Sequence, residues 1–555
     1  MALQSNGQLL VRHASPALSA AGALKAPLPF TNYRLEPLFN STAHLTAAAA
    51  FGAMTSSGPS WSLAKPTAVT QMNPWDAAHH AAAQQGYTAY IEPDILHVPA
   101  NVPPQAVASG GFNTHYPPPP GTPVSPGWHL DQQFDGFENI RKIATGTGVR
   151  IAHLDTGYTP KHASTPRRIQ PQLGWNFWDD NDDTTDPGTQ VLGLFQPGHG
   201  TATLAILAGN TLHLEFGTQT YQGDFGGAPD ADVVPVRIGP TVVHILSSTV
   251  ARGLNYALAP RGDTNARCQV VSLSHGGLPS AAWATAVNAL YEAGVTVVAA
   301  SGDNFYLGIV DIATQFTVYP SAFNRVTTAL GATFAGKPYT TKDIGVMQGS
   351  WGPDAVMEKA IAGYTPNVAW MDFKTLPSGF DMSGGGTSAS TPQIAAACAL
   401  WLQQHGHKFP QDWRLVEACR LALFKSATDT GLPRKQAGWG ILNVPGMLSD
   451  QIADAVLAES NGNGLKQSPQ DSVSFAFWRE LFGIPPAGSA EEEMYETEVA
   501  QIVLTSSNPT LIRANQAVGQ GAKLAPGDRA DMIAALKAEP ISAALATRLT
   551  KAPNP

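Results

Sequence analysis

The sequence predicts an α/β fold: a parallel sheet with helices on both faces, preceded by a small N-terminal module and followed by a helical C-terminal extension. Three observations predict it. Between Trp128 and about Met447, short β-branched runs alternate with longer amphipathic stretches, the pattern of strands joined by crossover helices. A segment rich in Pro, Gly and Ser, from Pro103 to Pro126, separates that region from a shorter upstream piece. After about Ser449 the composition turns to Ala, Glu, Leu and Lys with helical spacing.

In chain order, residues 1–31 scatter Arg12, His13 and Lys25 among short apolar pieces and read as a tail. Residues 32–97 read as a small module. Its second half holds Asn73-Pro-Trp-Asp-Ala-Ala-His-His80, opening an alanine-rich helical stretch, and then Tyr87-Thr-Ala-Tyr-Ile-Glu-Pro-Asp94, which reads as a closing strand. Residues 98–127 are the linker, with an unbroken proline run from Pro117 to Pro120 that favours extended backbone. In the central region, 128–447, Gln269 to Ser274 and Gly294 to Ser301 read as strands, while Pro279 to Ala293 and Pro392 to His405 have helical spacing. Open sheets of this kind gather their site beyond the carboxyl ends of the strands. In the extension, 448–555, the segments Phe475 to Phe482, Glu491 to Leu504 and Arg529 to Lys537 are helical in pattern.

Length and composition narrow the function classes. A chain of 555 residues exceeds the roughly 250–300 at which single cores stop growing, so several modules are expected. Hydrophobic residues make up 43% and charged ones 14%, a balance for a well-buried globular enzyme rather than a solvated chain. The net charge of −9 and the absence of a Lys/Arg cluster argue against nucleic acid as a partner. No stretch reaches the roughly 18 consecutive apolar residues of a spanning helix, and the N-terminus shows no Sec signal. The expectation is a soluble protein with no membrane contact, cytoplasmic or exported without a recognisable Sec signal. Cys268, Cys398 and Cys419 lack the spacing of a metal knuckle or a disulfide framework and read as buried free thiols.

Three short segments carry the chemistry: Ile151-Ala-His-Leu-Asp155-Thr-Gly157, Gly198-His199-Gly-Thr201 and Gly386-Thr-Ser388-Ala-Ser-Thr-Pro392. A Ser hydroxyl is a weak nucleophile at neutral pH. It needs an imidazole to take its proton and a carboxylate to fix that ring's tautomer and stabilise its cation. Asp155 follows an apolar run and so falls at a strand end. His199 opens the helical pattern Thr201 to Gly209, and Ser388 lies just ahead of Pro392, which suits the first turn of a helix.

In the order Asp, His, Ser, these segments resemble the subtilase family of subtilisin-like serine peptidases, over roughly Trp128 to Met447. Four further segments follow the family order: Gly226 to Asp232, Ser272-Leu-Ser274-His-Gly276-Gly277, Tyr319 to Phe323 and Gly438 to Asn443. The resemblance implies a subtilisin-like sheet and a triad of Asp155, His199 and Ser388 acting through an acyl-enzyme. It also implies an edge strand at Ser274, His275 and Gly276 that pairs with extended substrate, with Gly302 beside it. No organic cofactor is implied. Where most subtilases place an Asn in the oxyanion hole, the aligned residue is Asp303, which donates only if burial keeps it protonated. A one-residue shift brings Asn304 there instead, and both readings stand at this point.

Between Asp155 and His199 lies a carboxylate-rich loop with Asp179, Asp180, Asp182 and Asp183. Such hard oxygen ligands suit structural Ca²⁺, which some subtilases hold in the corresponding loop, although acidic loops are also commonly just solvated. Upstream, Tyr90-Ile-Glu-Pro-Asp94 resembles the closing strand of subtilase propeptides. That makes residues 32–97 a propeptide-like module able to inhibit the cleft, with a self-cleavage site between Ile95 and Gly127. The expected function is a serine endopeptidase acting on polypeptides. The alternatives are a subtilase-fold scaffold that binds a protein partner, and a protease regulated by its tail; the C-terminal helices either dock a partner or simply pack against the catalytic region.

Overall fold

The computed structural model describes residues 3–13, 32–39, 60–68, 72–97, 112–188, 198–242, 245–305, 316–429, 431–462, 464–483, 489–519 and 521–551. The N-terminal module consists of β1 (Gln4–His13), β2 (Tyr33–Pro37), β3 (Ser60–Pro66), α1 (Pro74–Ala83) and β4 (Tyr90–His97). The central region then runs through β5 (Arg150–Asp155), β6 (Trp175–Asn176), α2 (His199–Ala208), the hairpin of β7 (Thr211–Phe216) and β8 (Gln219–Asp224), β9 (Asp232–Arg237), β10 (Ile245–Leu246), α3 (Ser247–Tyr256), β11 (Val270–Leu273) and α4 (Ala281–Glu292). It continues with β12 (Thr296–Ala300), β13 (Asp303–Phe305), β14 (Thr327–Ala332), β15 (Met347–Gly349), β16 (Ala360–Tyr364), β17 (Val368–Met371), β18 (Phe380–Gly384), α5 (Thr387–His405) and α6 (Trp413–Ser426). The extension adds α7 (Asp450–Asn461), α8 (Ala476–Phe482), α9 (Ala490–Thr505), α10 (Pro509–Gly519), α11 (Pro526–Lys537) and α12 (Ala543–Thr550).

The core of the molecule is a seven-stranded parallel sheet in the order β16-β14-β12-β11-β5-β9-β6. Its strands β11 and β12 are fully buried, so they read as compact, mostly apolar runs rather than alternating ones, as both-face burial requires. The expected α/β sheet with flanking helices is therefore present, and β5, β11 and β12 end side by side, at Asp155, Leu273 and Ala300.

The module folds as an antiparallel sheet, and its order, β10-β4-β1-β3-β2, includes one strand of the central region. Within the expected N-terminal tail, Gln4–His13 are not a tail: β1 lies between β4 and β3. Its Leu9, Leu10 and Val11 are buried there. The linker also departs from expectation. Residues 98–111 lie outside the described ones, but Asn113 N–H donates to Asn367 Oδ1 (2.7 Å), Tyr116 Oη to Met347 O (2.9 Å), and Tyr116 and Val124 are buried. The apolar side chains among these prolines fasten residues 112–127 to the central region. The three cysteines are buried and unpaired. Among the described residues, no helix is long and apolar enough to cross a membrane.

Candidate active site

Asp155 ends β5 and is 1% exposed. Its Oδ1 accepts from the Thr156 N–H (2.7 Å) and pairs with His199 Nδ1 at 2.8 Å, while Oδ2 accepts from Thr203 Oγ1 (3.0 Å). Burial alone would raise this carboxyl, but His199, His275 and the hydrogen bond from His199 outweigh it and hold Asp155 well below the usual carboxylate range. Asp155 is thus ionised and aimed at one nitrogen of His199. The other, Nε2, has no hydrogen-bond partner among the described residues.

His199 is the first residue of α2, a helix buried on every face. Its place depends on two glycines. Gly198 has φ +80°, and a Cβ there would stand 2.8 Å from Phe373; a Cβ on Gly200 would stand 1.9 Å from the Gly157 carbonyl. Asp186 fixes the entry, accepting from Gly198 N–H (3.0 Å) and from Thr156 Oγ1 (2.7 Å). Trp370 of β17 meets the His199 ring edge to face at 5.4 Å.

Ser388 is the second residue of α5. Its Oγ donates to the Ser274 carbonyl (3.3 Å), and Ser274 Oγ donates back to the Ser388 carbonyl (3.0 Å). Pro392 explains the second bond. It lies at the sixth position of the helix rather than in its first turn, and having no N–H it leaves the carbonyl four residues earlier, that of Ser388, free for Ser274. Ser274 is followed by His275, whose ring lies 5.6 Å from that of His199. Asp155 and His199 are thus in contact at the end of β5, and Ser388 lies just beyond the end of the neighbouring β11, its Oγ bonded to Ser274 rather than to His199.

The segment 301–304 follows β12. Asp303 Oδ1 accepts from the Thr387 N–H (2.8 Å), and a Cβ on Gly386 would lie 2.7 Å from Asp303 Oδ2, so this carboxyl lies against the start of the Ser388 helix. Asp303 reaches solvent at the cleft, yet the surrounding walls strip enough water to push its carboxyl up to about 6. Asn304 is engaged elsewhere, its amide donating to Ser350 Oγ (2.9 Å) and its Oδ1 accepting from Gln348 (3.2 Å). The Gly302 N–H bonds Thr387 Oγ1 (3.2 Å).

Two further groups face Asp155 that sequence reasoning did not assign there. His153 shares a hydrogen bond with Thr203 (2.9 Å), and His275 places Nδ1 3.8 Å from Asp155 Oδ2. Asp186, Thr203 and Trp370 were not singled out either. Thr203 had one signal, its place one helical turn after His199; Asp186 was hidden in the acidic loop.

That loop is not built as a cation cage. Asp179 pairs with Arg237, Asp180 with Arg252 (2.9 Å) and Asp182 with Arg261 (3.7 Å), while Asp183 accepts from the Thr185 hydroxyl (2.7 Å) and N–H (3.0 Å). The four carboxylates point to separate partners, so they do not fit the Ca²⁺ expected there. Among the described residues, the His, Cys, Asp and Glu side chains whose donor atoms converge are Asp155, His199 and His275.

Comparison with known proteins agrees with this geometry. Residues 146–440 match the model of the subtilase family. The chain is 26% identical over 303 residues to an intracellular serine protease of Paenibacillus polymyxa, covering 54% of this chain and 79% of that one. It is 29% identical over 262 residues to subtilisin BL of Lederbergia lenta, covering 47% and 78%. It is 24% identical over 287 residues to alkaline serine exoprotease A of Vibrio alginolyticus, covering 51% of this chain but 44% of that one. With more than half its length matched by the family model and the Asp, His and Ser side chains gathered at the strand ends, the chain belongs to the subtilase family of subtilisin-like serine peptidases.

Proposed function

We propose that this chain is a serine endopeptidase in which Ser388 attacks a peptide carbonyl. His199 takes the Ser388 proton and delivers it to the leaving amine, and Asp155 holds the ring and stabilises its cation. Water then hydrolyses the acyl-enzyme by the same route in reverse. The observation that carries this reading is the 2.8 Å contact from Asp155 to His199 Nδ1, which leaves Nε2 without a hydrogen-bond partner, while Ser388 is held by Ser274 just beyond the neighbouring strand end. Substrate backbone runs along Ser274 to Gly276 beside Gly302, and Asp303, as a neutral acid, donates to the oxyanion. Asn304, turned toward Ser350, is not the donor in this reading.

The N-terminal module acts as a propeptide. In support, His97 at the end of β4 seats against Gly277, where a Cβ would stand 2.5 Å from its Nδ1, and accepts from the Leu278 N–H (3.0 Å). The chain thus leaves the module at the edge of the substrate strand, and self-cleavage falls between Ile95 and Gly127, a stretch whose residues 98–111 lie outside the described ones. A fluorophosphonate probe should label the wild-type protein and not Ser388→Ala, and the wild type should run as two bands where Ser388→Ala runs as one. Processed protein that takes no label would favour the scaffold reading instead.

A further inference from the structure

The face of the module that looks toward the central region is held by two buried carboxylates. Glu92 accepts from Ser280 Oγ (2.7 Å) and from the N–H groups of Ala281 (3.0 Å) and Ala282 (3.1 Å), capping α4. Asp94 accepts from Ser248 N–H (2.8 Å) and Oγ (2.7 Å), capping α3. Carboxylates at helix N-termini satisfy donors that the helices cannot satisfy themselves.

A different part of the chain grips the module as well. Gln501 of α9 accepts from the Trp75 indole N–H (2.9 Å) and donates to the Pro279 carbonyl (2.9 Å), so one side chain joins the module to the central region. Glu498, fully buried, accepts from the Ser542 N–H (2.7 Å) and pairs with His79 at 3.1 Å. Thr497 shares a hydrogen bond with Tyr90 Oη (2.9 Å), which donates to Glu92 (2.9 Å), so the network runs from α9 through the module to the α4 cap. Asn73 donates to the Pro540 carbonyl (3.0 Å), the Ala543 N–H to Asp76 (2.7 Å), and Arg12 pairs with Glu493. Behind these contacts Leu10, Trp75 and Tyr90 of the module, Trp283 of α4, and Met494, Val499 and Ile502 of α9 form one continuous apolar core.

The extension has its own hold on the central region. Asp471 accepts from the N–H groups of Asn324 (2.6 Å) and Arg325 (3.0 Å), and its backbone exchanges hydrogen bonds with Asn288. The clamp is therefore anchored independently of the module it covers.

We propose that the C-terminal helices are a permanent dock for the N-terminal module, so that a cut between residues 97 and 112 leaves the module seated. The working enzyme is then a two-chain assembly, and access to the cleft is not governed by departure of the module. Its occasion in the molecule's life rests on the self-processing reading, but the dock itself does not. Apolar side chains shared by three segments and buried polar pairs that would lose partners both oppose release.

The test uses full-length Ser388→Ala protein in which residues within 98–111 are replaced by a site for an unrelated sequence-specific protease. After cutting, the N-terminal fragment should co-elute with the remainder on gel filtration, and amides of β1 and β4 should keep their protection from hydrogen exchange. In a cut Trp75→Ala/Gln501→Ala variant the fragment should leave at least tenfold faster. Loss of the fragment from the cut parent, or equal release from parent and variant, would overturn the dock. If the variant does not fold, exchange in the cut parent decides alone: protection supports the dock and exposure refutes it. Because the cut is external and the nucleophile is absent, a single unprocessed band from wild-type protein would refute self-processing without touching this result.

Discussion

His275 approaches Asp155 at the oxygen that His199 leaves free, Nδ1 to Oδ2 at 3.8 Å. Burial pushes this imidazole down to about 4, so at neutral pH it is uncharged, and facing a carboxylate it carries its proton on Nδ1. In the proposed mechanism its buried side chain is a positioning group that helps keep Asp155 ionised, while its backbone lies along the substrate. His275→Leu should raise the Asp155 carboxyl, since one of the groups holding it down is gone. Activity should then fail at a less acidic pH, with kcat lowered about fivefold, equivalent to about 1 kcal/mol of lost electrostatic support for the carboxylate, and KM unchanged. The pH–rate profile measures this. An unshifted acid limb in the variant would show that Thr203 and the Thr156 N–H carry the carboxylate by themselves.

Asp303 gives the opposite limb. With its carboxyl pushed up to about 6 it is neutral and able to donate below that pH, and ionised and repulsive to an oxyanion above it. kcat/KM should therefore fall as pH rises through about 6. Asp303→Asn supplies a donor at every pH, so it should remove this fall and raise activity at pH 8 by roughly a hundredfold, the scale of a single oxyanion-hole donor. The same falling limb in Asp303→Asn would exclude Asp303 as its source.

The three motif segments were legible because their proposed chemistry imposes local sequence. Gly198 and Gly200 cannot carry a side chain where they stand, and that constraint is written next to His199. The strands at 270–273 and 296–300 were equally plain, since burial on both faces leaves compact apolar runs. β1 was not, because only Leu9, Leu10 and Val11 mark it, and its pairing partners lie near residues 60–66 and 90–97. The acidic loop misled for a related reason: its partners Arg237, Arg252 and Arg261 are remote in sequence, and composition alone cannot show which charges are already matched. The helices of the extension had visible periodicity, but what they grip is encoded by single residues such as Gln501 and Glu498.

For that loop, the arginines should matter more than any cation. Arg237 is buried, donates from Nε to the Thr156 carbonyl (3.0 Å) beside Asp155, and pairs with Asp179. Asp179 is half exposed, so the ion pair itself contributes little; the loss in Arg237→Ala comes from the unsatisfied carbonyl and the cavity. About 1–3 kcal/mol is expected, with a lowered Tm and a fall in kcat through the displaced Thr156 and Asp155. Asp179→Asn should cost less than about 1 kcal/mol. Calorimetry on the two variants distinguishes this from a calcium-built loop, in which Asp179→Asn would be the more damaging change and added Ca²⁺ would raise the Tm of the parent.

Glu92 poses a conflict that a pair of substitutions resolves. Complete burial raises its carboxyl, yet four donors point at its two oxygens: Ser280 Oγ and Ala282 N–H at Oε1, Tyr90 Oη and Ala281 N–H at Oε2. Only the ionised form accepts on both oxygens without bringing a hydrogen of its own. Glu92→Ala should strand these donors and cost about 2–4 kcal/mol, read as a fall in Tm of several degrees. Glu92→Gln keeps the volume but turns an NH₂ group toward one pair of donors, at least one of which, a backbone N–H, cannot rotate away. It should therefore cost nearly as much as Glu92→Ala. If Glu92→Gln is instead neutral, the carboxyl is protonated in the assembled protein, desolvation has won over the helix caps, and the module is held to α4 by a neutral acid.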